Sequence, residues 1–180
     1  MNVIKTKLAG VFEIENSKFE DCRGSFVKTF NKDAFSENGL EYNFKESFYS
    51  VSKKSVLRGM HFQLPPHDHA KLVYVVDGEV LDVALDIRQD SPTFGDYFST
   101  TLSFDNAKAL YLEKGFAHGF LTLSESATVV YLISTVHASQ YDTGVHWDSF
   151  GFDWNGVKNP VISKRDSSFN TLSDLSLKDC

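Results

Sequence analysis

Three basic side chains with different chemistry lie within one stretch of the sequence. Arg58 and His61 come together in one segment, and Lys71 follows directly before the apolar run Leu72–Val76. These surroundings indicate neighbouring β-strands. A guanidinium suits a phosphate, an imidazole can abstract a proton near neutral pH, and an ammonium can stabilise an enolate oxygen. Each residue alone could be the solvated end of a strand, but the three together favour a chemical site.

Three further segments place polar groups in apolar surroundings. His118 lies among aromatic residues and glycines, Tyr131 lies within an apolar run, and Asp166 follows two cations just before the C-terminal tail. Taken singly, a tyrosine on an apolar strand usually belongs to the core, with its hydroxyl bonded to a nearby carbonyl. A histidine beside glycine is likewise usually structural, so these residues indicate a chemical site only when they are taken together.

The elements that must position these residues are mostly strands. Asn31 as N-cap and Gly39 after the end predict one short helix at Lys32–Glu37, and the tail from Lys158 resembles loop and short helix. Between two of the strand-like runs, Asp77-Gly78 predicts a two-residue hairpin turn. Short strands separated by turns predict an all-β double-sheet roll or barrel. The strand candidates are Gly10–Ile14, Ser25–Phe30, Phe44–Ser52, Leu72–Val76, Glu79–Asp86, Tyr97–Ser103, Ala109–Leu112, Gly119–Leu123 and Thr128–Ser134.

Length and composition exclude several classes of protein. A chain of 180 residues predicts a single domain over residues 1–180. The net charge of −6 argues against nonspecific binding to nucleic acid. No apolar stretch reaches the roughly 18 residues of a membrane span, and the N-terminus lacks the apolar region of a signal peptide. With only Cys22 and Cys180 as thiols, a cytoplasmic protein without disulfides is expected.

Four motifs follow one another along the chain: Arg-Gly-x-His-x-Gln, Lys-Leu-Val, Gly-Glu-Val-x-Asp-Val-x-x-Asp-x-Arg and Ser-Pro-Thr-Phe-Gly. Their order and spacing closely resemble those of the dTDP-4-dehydrorhamnose 3,5-epimerase family. The match covers roughly residues 19–166 and continues through Gly115–Phe120, Tyr131, Gly144 and Trp147. The resemblance implies a cupin-type double-stranded β-helix (jelly roll) with short peripheral helices, and an enzyme that needs neither a metal nor a redox cofactor.

The resemblance also implies a role for each site residue. His61 would be the general base, Asp166 its orienting carboxylate, Tyr131 the general acid and Lys71 the cation at the enolate oxygen. The reaction that the resemblance implies would invert C3, C5 or both in a nucleotide-linked 4-keto-6-deoxy sugar, since the ketone acidifies the neighbouring C–H bonds. Arg23 and Arg58 would bind the pyrophosphate of the substrate. Six further residues would bind other parts of the substrate: Lys28, Glu46, Phe48, His118, Asp142 and Arg165.

A homodimer is expected from the same resemblance, with nucleotide contacts shared between subunits. The strand Val11–Glu15 has no obvious partner nearby in the sequence, and an unpaired edge strand favours pairing with another chain.

Several positions depart from the family pattern. Lys28 stands where the family usually has glutamate, and Glu46 and Phe48 replace a glutamine and an asparagine. A carboxylate can accept the N–H donors of guanine, and a phenyl ring can stack on a purine, so a GDP-linked sugar, including heptoses, is predicted over the dTDP-linked hexose. Asp142 and Arg165 replace a glutamate and a lysine, which leaves open inversion at only one carbon.

Three other readings stay open. His67 and His69 have the HxH spacing of a metal-dependent cupin, with His118 as a third ligand, although the Pro65-Pro66 turn favours solvated side chains there. A sugar-nucleotide 3,4-ketoisomerase would move a carbonyl on the same fold. A non-catalytic carbohydrate-binding module would not need His61 and its partners as a set.

Overall fold

The computed structural model describes residues 1–175 and consists mainly of antiparallel β-structure. One α-helix, α1 (Lys32–Glu37), and two 3-10 helices, Asp166–Ser168 and Leu172–Asp174, lie outside the sheets. The strands are β1 (Asn2–Lys5), β2 (Val11–Glu15), β3 (Lys18–Asp21), β4 (Gly24–Val27), β5 (Glu46–Lys53), β6 (Leu57–Gln63), β7 (Lys71–Asp77), β8 (Glu79–Asp86), β9 (Tyr97–Ser103), β10 (Lys108–Leu112), β11 (Phe116–Thr122), β12 (Ser126–Ile133) and β13 (Asp142–Gly144).

Two sheets face each other across the main core. The larger sheet has the order β1-β2-β10-β7-β12-β5, the smaller has β13-β6-β11-β8-β9, and β3 and β4 form a separate hairpin. Val73 and Val129 of the larger sheet share one buried cluster with Val80 and Phe120 of the smaller. Alternate residues of each strand supply this core, because successive side chains point to opposite faces. This two-layer roll confirms the predicted cupin-type jelly roll.

The predicted hairpin at Asp77-Gly78 is wrong, although both of its strands exist. β7 pairs with β10 and β12 in the larger sheet, whereas β8 pairs with β9 and β11 in the smaller. Gly78 has a φ of +76°, and a Cβ there would overlap the carbonyl of Ser126. A glycine turn of this kind serves equally for a hairpin and for a corner that passes the chain between sheets. Only the partners of the two strands distinguish the outcomes.

The remaining local predictions agree with the structure to within a few residues. The side chain of Asn31 accepts a hydrogen bond from the N–H of Ala34 at 2.9 Å and caps α1, and Gly39 follows the helix with a φ of +70°. No pattern in the sequence indicated β1, β3 or β13. The first of these supplies a partner for Val11–Glu15, which lies between β1 and β10, so the argument from an unpaired strand at this position is wrong.

Within residues 1–175, no helix is long and apolar enough to span a membrane. Cys22 is exposed and free, and Cys180 lies outside the described residues.

Candidate active site

A cavity of about 380 Å³ opens between the two sheets and brings most of the predicted site residues together. Of the catalytic set, His61, Lys71 and Tyr131 line it directly. Of the predicted binding set, six line it: Glu46, Phe48, Arg58, His118, Asp142 and Arg165. The other lining residues include Ser50, Phe62, Gln63 and Ile133, for which no role was predicted, and His69, which entered only through the HxH spacing.

The two walls of the cavity carry different groups. His61 on β6 and His118 on β11 are direct cross-strand partners in the smaller sheet. Lys71 on β7 and Tyr131 on β12 belong to adjacent strands of the larger sheet. Because the two sheets face each other, the imidazole of His61 and the phenol of Tyr131 lie on opposite walls. A substrate between the walls would present one face to each group.

Asp166 lies behind His61 and not on the cavity surface. Its Oδ2 is 2.9 Å from Nε2 of His61 and accepts a hydrogen bond from the N–H of Gly59 at 3.1 Å. Nε2 of His61 has no other hydrogen-bond partner among residues 1–175. Burial by itself would raise the pKa of Asp166, but the contacts with His61 and Gly59 outweigh it and lower that pKa. The carboxylate is therefore ionised and holds one edge of the imidazole, which leaves Nδ1 for proton transfer.

Lys71 is a buried amine at the first residue of β7. Its Nζ makes no hydrogen bond or ion pair within residues 1–175. Removal from water lowers its pKa to about 8, while the charges of Asp82 and Asp142 act in the opposite direction. A cation with no partner among the described residues is suited to an oxygen that gains negative charge during a reaction.

Tyr131 is held by packing and by one weak polar contact. Its ring stacks on Phe48 with centroids 4.8 Å apart and meets His118 edge-on at 6.0 Å. Its hydroxyl lies 3.4 Å from Oγ of Ser50. Burial raises the pKa of Tyr131 above its ordinary value, so the phenol keeps its proton at any working pH and can donate it.

A second histidine–carboxylate pair, His118 with Asp82, was not anticipated. Nε2 of His118 lies 3.0 Å from both carboxylate oxygens of Asp82, and both residues are buried. Burial lowers the pKa of His118, although the carboxylate opposes that shift. A charged residue in the middle of the apolar strand β8 was the available signal, since a buried carboxylate needs a partner.

Several polar residues that line the cavity are already hydrogen-bonded to other residues of the chain. Arg165 donates a hydrogen bond to Asp142 at 2.6 Å, and the carboxylate of Glu46 accepts one from the N–H of His137 at 2.7 Å. Arg58 donates from Nε to Oγ of Ser52 at 2.9 Å, which leaves its other nitrogens mostly free. Of these cations, Arg58 is the better placed to receive a phosphate.

Arg23 and Lys28 do not reach the cavity of their own chain. Arg23 lies at the turn of the β3–β4 hairpin, is largely exposed and pairs with Asp21 at 2.6 Å. Lys28 is exposed just beyond β4. Within residues 1–175, neither side chain makes a hydrogen bond or ion pair with another predicted site residue.

The three histidines of the metal-dependent reading do not converge. His67 packs on the ring of Tyr141 at 4.5 Å, His118 is bound to Asp82, and His69 alone of the HxH pair lines the cavity. Residues 1–175 contain no group of three His, Cys, Asp or Glu side chains placed to hold a metal ion.

Comparison with known proteins identifies the family to which this cavity belongs. The family model of dTDP-4-dehydrorhamnose 3,5-epimerase matches residues 5–174. The chain belongs to the dTDP-4-dehydrorhamnose 3,5-epimerase family. The family member from Shigella flexneri is 43% identical over 169 residues, which make up 92% of this chain and 93% of that protein.

Solved structures of the family agree with the fold. The dTDP-6-deoxy-D-glucose-3,5-epimerase of Legionella pneumophila Philadelphia 1, in complex with dTDP-4-keto-L-rhamnose, has a TM-score of 0.93 and 34% identity. That alignment covers 97% of this chain and 94% of the other. A 3′-monoepimerase of Streptomyces bikiniensis, in complex with dTDP-quinovose, has a TM-score of 0.90 and 30% identity, with coverage of 94% and 87%. The family assignment made from the motifs is confirmed.

Proposed function

We propose that this epimerase-family protein inverts C3 and C5 of a nucleotide-linked 4-keto-6-deoxy sugar through an enolate. One observation carries the proposal. A histidine backed by a buried carboxylate faces a buried phenol across the cavity, and an unpartnered lysine stands on the same wall as the phenol. Inversion of a carbon next to a ketone needs these three functions: a base on one face, an acid on the other and a positive charge at the oxygen.

In the first half of the reaction, Nδ1 of His61 takes the proton from the carbon beside the ketone. The electron pair of the C–H bond forms the C=C bond of the enolate, and the carbonyl oxygen becomes negative. Lys71 stabilises that oxygen, and Asp166 stabilises the imidazolium through the 2.9 Å contact at Nε2. No electron leaves the substrate, so no redox partner is required.

In the second half, the hydroxyl of Tyr131 gives its proton to the opposite face of the same carbon. The enolate returns to the ketone with the configuration inverted. The phenolate of Tyr131 then regains a proton from solvent, and His61 releases one, so that the protein returns to its starting state. Two such cycles, one at C3 and one at C5, give the double epimerisation, and a single cycle gives a monoepimerase.

For the nucleotide, we propose dTDP, as in the sugar nucleotides bound by the Legionella and Streptomyces relatives. The GDP-linked sugar, including heptoses, is the second candidate, and Lys28, Glu46 and Phe48 favour it by their chemistry. The contacts of these residues reduce that support. Glu46 already accepts from His137, Phe48 stacks on Tyr131, and Lys28 lies outside the cavity.

The test is incubation with dTDP- and GDP-linked 4-keto-6-deoxy sugars in deuterium oxide, followed by NMR of the sugar protons. Exchange and inversion at C3 and C5 of the dTDP sugar support the proposal, and exchange at C3 alone indicates a monoepimerase. A product with the carbonyl at C3 would indicate the ketoisomerase. Binding without any exchange would indicate a carbohydrate-binding module. Calorimetry with dTDP and GDP separates the nucleotides, since the tighter complex identifies the natural one.

A further inference from the structure

His69 lines the cavity beside Lys71 but has no part in the proton transfers above. Its Nδ1 lies 3.2 Å from Nε2 of Gln63 and 3.5 Å from Oγ1 of Thr135. What the ring can offer to a ligand depends on which of its nitrogens carries the proton. The polarity of these two contacts decides that question.

The orientation of the Gln63 amide is fixed by two backbone groups. Its Oε1 accepts a hydrogen bond from the N–H of Ala138 at 2.6 Å, and its Nε2 donates to the carbonyl of His67 at 2.8 Å. Backbone groups cannot exchange donor and acceptor roles, so the amide cannot be reversed. The second hydrogen of Nε2 is therefore the one directed at His69, and Nδ1 of His69 must accept it.

The carbonyl of His67 is the alternative acceptor for a proton on Nδ1, but it is already occupied. It accepts from Gln63 at 2.8 Å and from the hydroxyl of Thr135 at 2.9 Å, which uses both of its lone pairs. The neutral ring of His69 must then carry its proton on Nε2. Burial, together with the charge of Lys71, lowers the pKa of His69 to about 3, so the ring stays neutral at any working pH.

We propose that His69 is a fixed hydrogen-bond donor to the sugar, with its Nε2–H directed at an acceptor oxygen beside the one held by Lys71. Nε2 is accessible and has no hydrogen-bond partner among residues 1–175. A donor that cannot titrate binds an oxygen without competing as an acid or base in the reaction. This inference rests on the proposed function, since it assigns a further contact to the same substrate.

The tautomer can be measured without any substrate. NMR of protein labelled with ¹⁵N-histidine should show the Nε2–H pattern of couplings for His69, unchanged from about pH 6 to 9. An Nδ1–H pattern, or titration of this ring within that range, would overturn the inference. Because the measurement uses the wild-type protein, it does not depend on the folding of a variant.

The donor role is tested with His69→Leu and His69→Gln, with His67→Gln as the control from the same turn. His69→Leu should raise the KM for the sugar nucleotide about tenfold to a hundredfold, because one sugar oxygen loses its donor. The Kd for dTDP alone should change less than about twofold, since the proposal assigns this ring to the sugar and not to the nucleotide. His69→Gln keeps an N–H donor and should recover most of the affinity, and His67→Gln should behave as wild type.

Equal loss in His69→Gln and His69→Leu would overturn the donor role and leave only packing. An unchanged KM in a folded His69→Leu would do the same. If no 4-keto sugar exchanges with the wild-type protein, the proposed function fails. Calorimetry with the unreacted sugar nucleotides would then still compare the variants and test the contact.

Discussion

The imidazole of His61 lies with one nitrogen against a buried carboxylate and the other free for the substrate. His61→Asn keeps a similar volume and removes the base. We expect loss of solvent exchange at C3 by about 10²–10⁴-fold, with nucleotide affinity nearly unchanged. Deuterium exchange followed by NMR measures the exchange at C3, and calorimetry measures the nucleotide affinity. The control is His146→Asn, because His146 lies outside the cavity. Wild-type turnover in His61→Asn would refute the assignment.

In the proposed reaction, the phenol of Tyr131 acts only after the enolate has formed, so its removal should separate the two half-reactions. Tyr131→Phe keeps the stacking on Phe48 at 4.8 Å and removes only the hydroxyl. We expect deuterium to enter the substrate while net epimerisation falls. Tyr42→Phe, at an exposed position outside the cavity, should match wild type. Product formation at the wild-type rate would make Tyr131 a core tyrosine.

The charge of Lys71 should set the alkaline side of the pH profile. Since burial lowers its pKa to about 8, the free enzyme holds the cation below that pH and loses it above. The kcat/KM should therefore fall as pH rises through about 8. Below that pH, Lys71→Met should be impaired by about 10²–10³-fold, by analogy with the loss of one oxyanion donor, and its kcat/KM should not show the fall near pH 8. A kcat/KM that stays constant up to about pH 10 would contradict this role.

Among the elements, the segment around the first 3-10 helix supports the base most directly. Asp166 begins this helix, and Phe169 after its end packs edge-on against the ring of His61, with centroids 5.8 Å apart. Gly144 of β13 lies opposite His61 in the register, and its missing side chain leaves room for the Phe169 ring.

Gly144→Ala tests this packing. The added methyl would overlap the ring of Phe169 and lie 2.5 Å from the carbonyl oxygen of Met60. We expect a loss of about 1–3 kcal/mol in the free energy of unfolding, and a fall in kcat larger than the change in KM, because the His61–Asp166 pair shifts. Denaturant unfolding and steady-state kinetics measure both. In the double variant with Phe169→Ala, part of the stability loss should be relieved, and strict additivity would argue against the contact.

At the scale of the whole molecule, the β3–β4 hairpin and the edge strand β5 expose large aromatic side chains that nothing in the described residues covers. Phe19 and Phe26 on the hairpin are each 62% exposed, and Tyr49 on β5 is 70% exposed. The same hairpin carries Arg23, predicted to bind pyrophosphate yet remote from its own cavity. We propose a homodimer in which the hairpin of one subunit supplies Arg23 to the cavity of the other.

Sedimentation at micromolar concentration should give about twice the 20.3 kDa mass of one chain. Mixing His61→Asn with Arg23→Ala subunits should restore activity above that of either variant, because one site of the mixed dimer regains both residues. Lys5→Ala, at the end of the opposite edge strand β1, should leave the sedimentation unchanged. A monomer, or a mixture no more active than its components, would refute the proposal.

Local sequence signals determined much of this protein. The cap at Asn31 and the glycine after α1 placed the helix, because these signals act over only a few residues. Alternating and apolar runs placed most of the strands for the same reason. The order of motifs identified the family and the residues His61, Lys71 and Tyr131, which then met in one cavity.

The tertiary structure decided what depends on distant partners. Asp77-Gly78 fits a hairpin and a corner equally well, and only the pairing of β7 and β8 with other strands made it a corner. The partnership of Asp82 with His118 and the tautomer of His69 depend on contacts across the fold. The position of Arg23 outside the cavity of its own chain also depends on where the fold places the β3–β4 hairpin. Turn chemistry and periodicity fix the local backbone, whereas hydrogen-bond polarity and sheet membership depend on residues far apart in the chain.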